Sequence, residues 1–230
     1  MKWICQMLVL LVLLTGCGAE KQVLGGAELE EAPKYVALTF DDGPRRETTE
    51  RLLDGLKQRG VSATFFLVGE RIPGQEDLVR RMQMEGHQIG NHTWSHVRLA
   101  ELSPEEAKEE IGHTDRLLRK LLGEGWYWLR PPYGQIDRTE GLSVPVVRWN
   151  VDPRDWESLD RKAVTEAVLK HAEPNSIILL HDIYESSVEA ALDIADALQE
   201  QGYWFVTVEE LLKLNGVTAE PGHLYSSGRT

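Results

Sequence analysis

Cysteine is nearly missing from this sequence: of 230 residues only Cys5 and Cys17 carry a thiol. Both lie at the extreme N-terminus, so the body of the chain has no internal disulfide and no thiolate metal site. Basic residues are scarce too, with 25 Lys and Arg against 37 Asp and Glu, a formal net charge of -12. A sequence-independent grip on nucleic acid needs a basic face, and this balance excludes one. No glycine-rich phosphate loop, heptad repeat, internal repeat or low-complexity tract is present. Long apolar runs are lacking as well. The most extended, Met7 to Leu14, is too short to span a bilayer comfortably.

What is present begins with that run. Lys2 followed by an apolar stretch has the form of a signal peptide. It ends in Leu14-Thr15-Gly16-Cys17, which resembles the bacterial lipobox, with cleavage before Cys17 and lipidation of its sulfur. Cleavage would also remove Lys2 and leave the mature chain one unit more negative. Gly18 to Pro33 reads as a flexible acidic tether. The expected setting is the extracytoplasmic face of a bacterial membrane, reached through the lipid.

From Lys34 onward, short apolar runs alternate with helix-period stretches. Strands are expected at Tyr35 to Phe40, Ala63 to Val68, Gln88 to Asn91, Tyr127 to Leu129, Val146 to Trp149, Ser176 to Leu180 and Tyr203 to Val206. Helices are expected over Thr48 to Arg59, Gln75 to Glu85, from the capping box Ser103-Pro104-Glu105-Glu106 to about Gly123, Arg161 to His171, around Val188 to Leu198, and Val208 to Leu214. This alternation predicts an α/β fold with a mostly parallel, helix-covered sheet, open or rolled into a barrel. The last residues, Pro221 to Thr230, read as a frayed tail.

The polar clusters fall where strands end: Asp41-Asp42, His92 to His96, Arg130 to Tyr133, Asp152 to Trp156 and His181-Asp182. In α/β folds the carboxyl ends of parallel strands hold the active site, so one mouth can gather all five. His92 and His96 are four residues apart, a spacing that lets both imidazoles meet one ion. With one carboxylate they make a set that leaves coordination positions open, as a catalytic metal site requires.

Those residues carry a resemblance. Thr39-Phe40-Asp41-Asp42-Gly43-Pro44, Asn91-His92-Thr93-Trp94-Ser95-His96, Arg130-Pro131-Pro132-Tyr133-Gly134, Asp152-Pro153-Arg154-Asp155-Trp156 and Leu179-Leu180-His181-Asp182 resemble the five ordered motifs of the polysaccharide deacetylase family, the NodB-homology domain of carbohydrate esterase family 4. The resemblance implies a distorted or incomplete (β/α) barrel, a divalent metal, most often Zn2+ with Co2+ an alternative, and removal of acetyl groups from N-acetylated sugars of a cell-wall or extracellular polysaccharide. It implies Asp42, His92 and His96 as metal ligands and Asp41 as general base, paired with Arg130. His181 would be the general acid, oriented and made more basic by Asp155. The Tyr133 backbone N–H would face the oxyanion, and Trp156 and Leu179 would line an acetyl-methyl pocket.

The implied division is a signal peptide over 1–16, lipidated Cys17 and tether over 17–33, a catalytic domain over 34–215 and a tail over 216–230. Two other readings stay open: an O-acetyl esterase acting on a polysaccharide such as xylan, and a surface carbohydrate-binding protein without turnover. Exposed aromatics such as Trp94, Tyr133 and Tyr184 are candidates for stacking on sugar rings. His87, His113, His171 and His223 match no motif and read as structural or exposed, and Asp182 reads as a backbone contact. Two departures from the family pattern stand out. Gly134 to Pro145 is too short for the helix usual there, and Asn150 stands where an Asp is frequent.

Overall fold

The first strand, β1 (Lys34–Asp41), is buried from Val36 to its end, because it runs through the middle of a parallel sheet with both faces covered. The computed structural model describes residues 32–139 and 141–229, so the leader, Cys17 and nearly all of the tether lie outside the described residues. One edge of β1 pairs with β5 (Ile177–His181), in a register that sets Asp41 opposite His181. Its other edge is shared. Residues 34–36 pair with β6 (Tyr203–Phe205) and residues 39–41 with β2 (Thr64–Leu67), which in turn pairs with β3 (Gln88–Asn91). All of these pairings are parallel.

The far side is thinner. Tyr127 to Leu129 contributes a single bridge residue, Leu129, between Asn91 and Val146, and β4 is only Val146–Val147. Val151 bridges to Ile178 on β5. The ring is therefore a distorted barrel, completed by isolated bridges on the side where no helix follows Tyr133. Among the described residues of 135–145 the backbone forms no helix, as the Gly141 and Pro145 content predicts.

Alternation along β1 sorts its neighbours. Val36, Leu38 and Phe40 join the large core beneath the helices, with Leu52, Leu53 and Leu56 of α1 (Arg46–Arg59) and Ala191, Ile194 and Leu198 of α6 (Glu185–Glu200). Ala37 points the other way, to a second core holding Phe66, Trp128, Val147 and Ile177. By the period of two, Thr39 and Asp41 share that inner face, as do Leu179 and His181 on β5. The remaining helices are α2 (Glu76–Met84), α3 (Pro104–Leu122), α4 (Asp155–Ser158), α5 (Arg161–His171) and α7 (Val208–Leu214). Ser103 and Glu106 form the expected capping box on α3, and Asp160 caps α5.

The tail departs from expectation. Leu224–Tyr225 forms β7, parallel to β4, and the Tyr225 ring is buried in the inner core beside Trp128. Gly228 N–H donates to the Asn175 carbonyl at 2.8 Å. Its polar, Gly-rich composition reads as disorder, but two residues of β pairing and one buried aromatic suffice to hold it. No helix among the described residues is long and apolar enough to cross a membrane.

Candidate active site

Strand β1 ends with Asp41, still extended and buried, and the chain then turns at Asp42, whose φ of 74° lies in the left-handed region. That turn separates the two carboxylates. Asp41 Oδ1 accepts from Arg130 Nη1 at 2.8 Å, and the same nitrogen donates to Thr39 Oγ1 at 2.7 Å. Arg130 is fully buried, its guanidinium over the Phe66 ring, and its Nη2 donates to the Arg148 carbonyl at 3.0 Å. A buried cation so enclosed holds Asp41 in one orientation. The other oxygen, Asp41 Oδ2, lies 3.7 Å from His92 Nε2.

Asp42 faces two imidazoles. Its Oδ1 stands 3.1 Å from His96 Nε2 and 3.5 Å from His92 Nε2. Ligand atoms of Asp42, His92 and His96 all lie within 4.8 Å of one another. His92 Nδ1 is 2.7 Å from the Arg130 carbonyl, which can only accept, so this nitrogen carries the proton and Nε2 presents its lone pair to the cluster. Asp42 Oδ1 is buried without a well-formed hydrogen bond. Burial would raise the Asp42 carboxyl; the His96 contact and the charges of His92 and His96 outweigh it and hold the group well below the usual carboxylate range. The His92 lone pair, the His96 imidazole and the carboxylate of Asp42 are a donor set that fits a divalent ion.

The histidine loop is held by groups that carry no sequence signal. Glu110 of α3 accepts from the backbone N–H groups of Trp94 and Ser95 at 3.1 and 2.9 Å and from the Ser95 hydroxyl. Asn91 Oδ1 accepts from Thr93 N–H, and Thr93 Oγ1 from His96 N–H. Thr93, His96 and Tyr133 all have positive φ, so this mouth is lined by backbone that side-chain-bearing residues seldom adopt. Trp94 is not a free platform, because its ring stacks on His113 at 3.6 Å. Gly90 is demanded by packing: a Cβ there would strike the Phe66 ring.

Opposite the cluster, His181 Nδ1 bonds Asp155 Oδ1 at 2.8 Å, and Asp155 Oδ2 accepts from the His181 N–H at 2.8 Å. Asp155 is fully buried. Burial alone would lower the His181 ring, but the Asp155 hydrogen bond and the charges of Asp155, Asp41 and Asp42 push it up to about 9. Leu179 lies two residues earlier on the same inward face, buried, whereas Trp156 (46% exposed) and Tyr133 (51% exposed) stand at the rim. The Tyr133 ring packs edge-on against His96 and under the Arg98 guanidinium. Asn150 ties the bridge to β5, its Oδ1 accepting from Ile177 N–H at 2.7 Å.

Asp182 does more than contact backbone. It is buried behind Gly43, where a Cβ would meet its carboxylate, and it accepts from the Thr49 hydroxyl. Burial, with the Asp42 charge adding to it, pushes its carboxyl up to about 7 against the lowering effect of Thr49. His87 is buried just before β3, its Nδ1 accepting from Ala63 N–H. The other three unmatched histidines are exposed.

Fold and site together define a distorted parallel α/β barrel with a two-histidine, one-carboxylate pocket at its carboxyl-end mouth, flanked by a second acid and a buried-acid–histidine pair. The chain belongs to the polysaccharide deacetylase family, whose profile matches residues 28–143. It is 41% identical over 180 residues to the peptidoglycan-N-acetylmuramic acid deacetylase PdaC of Bacillus subtilis, covering 77% of this chain and 38% of that one. It is 38% identical to the peptidoglycan-N-acetylglucosamine deacetylase PgdA of Listeria monocytogenes, covering 77% of this chain and 39% of the relative. The chain thus spans well under half the length of these relatives. Among solved structures, a family 4 acetyl xylan esterase from Clostridium thermocellum in complex with a cobalt ion superposes with a TM-score of 0.81 at 35% identity, covering 86% of this chain and all of that one.

Proposed function

We propose that this protein is a divalent-metal-dependent hydrolase that removes acetyl groups from the N-acetylated sugars of a cell-wall polysaccharide. The observation that carries the reading is the three-sided arrangement at one mouth: a ligand cluster, a carboxylate held by a buried arginine, and a histidine made basic by a buried acid. Asp42, His92 and His96 would hold the ion, Zn2+ by preference for two imidazoles and a carboxylate, which when bound acidifies water and polarises a carbonyl. Asp41, beside those ligands and fixed by Arg130, takes the proton from the attacking water. The Tyr133 N–H donates to the developing oxyanion. His181, cationic at neutral pH, gives its proton to the sugar nitrogen as the C–N bond breaks, and Asp155 steadies the ring throughout. Leu179 and Trp156 enclose the acetyl methyl.

Likeness to a family 4 acetyl xylan esterase supports one alternative, O-acetyl ester hydrolysis at the same centre. The deciding measurement is acetate release from peptidoglycan, N-acetylglucosamine oligomers and acetylated xylan, each with and without chelator. Release from the aminosugar polymers that chelator abolishes and Zn2+ restores is the expected result. Release from xylan alone would favour the esterase, and metal binding with no acetate from any substrate would favour a binding protein. The reading includes a setting: lipidation at Cys17 and a tether of residues 17–33 would hold the domain at the outer face of a bacterial membrane.

A further inference from the structure

The two imidazoles of the ligand cluster are held in different ways. His92 follows β3 directly, and its N–H donates to the Leu67 carbonyl of β2 at 2.9 Å. Its ring donates from Nδ1 to the Arg130 carbonyl at 2.7 Å. Sheet and ring bond together fix where Nε2 points. His96 has neither support. It lies beyond the strand at a φ of 56°, and among the described residues no hydrogen bond reaches its Nδ1. The ring only packs against His92 and edge-on against Tyr133. A histidine ligand is ordinarily aimed by a bond to its second ring nitrogen. Without one, the His96 ring is aimed by its backbone, and so by whatever holds residues 93–96.

Much of that hold comes from one carboxylate of α3. Glu110 Oε2 accepts from the Trp94 and Ser95 N–H groups at 3.1 and 2.9 Å, and Oε1 accepts from the Ser95 hydroxyl at 2.9 Å. No arginine or lysine pairs with it among the described residues, whereas Glu109 and Asp115 on the same helix pair with Arg116 and Arg119. Both its oxygens are thus given to the loop. The next turn adds two contacts: the Ile111 carbonyl accepts from Asn91 Nδ2 at 2.9 Å, and the His113 ring stacks on Trp94. Thr93 and His96 are left-handed, a conformation that persists where surrounding contacts impose it. Resting on the ligand set of the reading above, we propose that Glu110 is a positioning residue for the metal site. It sets the affinity for a divalent ion by fixing His96 through the backbone of Trp94 and Ser95, and it touches neither ion nor substrate. A loop already in place loses little freedom when the ion arrives, and a loop that must first be ordered binds more weakly.

The test compares wild type, Glu110→Ala, Glu110→Gln and Ser103→Ala as full-length protein. Zn2+ Kd is read by chelator competition, the visible absorption of the Co2+ form reports ligand geometry, and thermal unfolding of the metal-free protein reports stability. Ser103→Ala is the control for a merely structural role, because it removes the α3 cap and leaves Glu110 in place. It should lower Tm by about 2–4 °C and leave Kd unchanged. Glu110→Ala should raise Kd by about 10–100-fold and alter the Co2+ spectrum, the scale on which lost supporting contacts act on a metal site. Glu110→Gln keeps one acceptor oxygen for the two N–H groups and should recover most of the affinity, with Kd about threefold above wild type. An unchanged Kd in Glu110→Ala overturns the proposal, as does an equal rise in Ser103→Ala. Should Glu110→Ala fail to fold, an unchanged Kd in Glu110→Gln overturns it instead. A wild type that binds no Zn2+ would refute the ligand set itself, and this role with it, whereas a wild type that binds it with Kd equal in every variant would refute Glu110 alone.

Discussion

Asp41 and Asp42 are adjacent in sequence and differ in everything that matters for their chemistry. One completes a buried strand and is clamped by Arg130; the other sits in a left-handed turn and faces two imidazoles. Replacing each by its amide is therefore not equivalent. Asp42→Asn is expected to weaken metal affinity by about tenfold or more, because a ligand is lost. Asp41→Asn is expected to keep the metal and lower acetate release by about 10²–10⁴-fold, the scale of a general base. Metal content after dialysis, measured beside acetate release, separates the two, and equal metal retention in both variants would refute the division. His181 makes a second residue-scale prediction. Its pKa is raised, so the ring is charged below about 9 and loses its acid proton as pH climbs through that value. The alkaline limb of kcat for amide substrates should lie far above the ordinary histidine value of 6.5, and Asp155→Asn should move it downward. A limb that stays put in Asp155→Asn would remove Asp155 from its orienting role.

At the scale of elements, the thin side of the barrel is the informative one. β4 has two residues, no helix follows Tyr133, and the edge is finished by β7 from the end of the chain. Val146 N–H donates to the His223 carbonyl and Arg148 N–H to the Tyr225 carbonyl, at 2.8 and 2.7 Å. Tyr225→Ala should cost on the order of 3 kcal/mol, as other buried aromatic truncations do. Urea unfolding of that variant measures it, and a loss below about 0.5 kcal/mol would mean the segment contributes no more than an exposed one. The tail's role was not visible in its residues, because a two-residue strand has no periodicity to detect. The longer elements were visible. Arg161–His171 and Val208–Leu214 run as the apolar spacing predicts, since each helix buries one regular stripe.

For the whole molecule, the proposed arrangement is a catalytic barrel carried on a lipidated tether. The barrel's acidic composition gives it no electrostatic attraction to an anionic membrane, so attachment would depend on the lipid. Palmitate labelling in the native host should tag the wild-type protein and not Cys17→Ser, which should partition to the soluble fraction. Equal labelling of both would end the lipoprotein reading.

The sequence by itself determined which residue types stand at the ends of which strands. Five polar clusters, each after an apolar run, carried the resemblance to the family, and with it pointed to the Asp42, His92 and His96 cluster, the Asp155–His181 pair and the Arg130 partner of Asp41. Such clusters are local, and local order is what a sequence records directly. Tertiary structure alone decided the rest. It set Asp41 level with His181 through the β1–β5 register. It brought Glu110 from α3 onto the histidine loop, stacked Trp94 on His113, seated Asp182 behind Gly43 and closed the barrel with the tail. It also gathered Arg45 and Arg71, 26 positions apart, into one groove next to Asp42. These contacts join residues far apart along the chain, and only the packing of strands and helices fixes the distances between them.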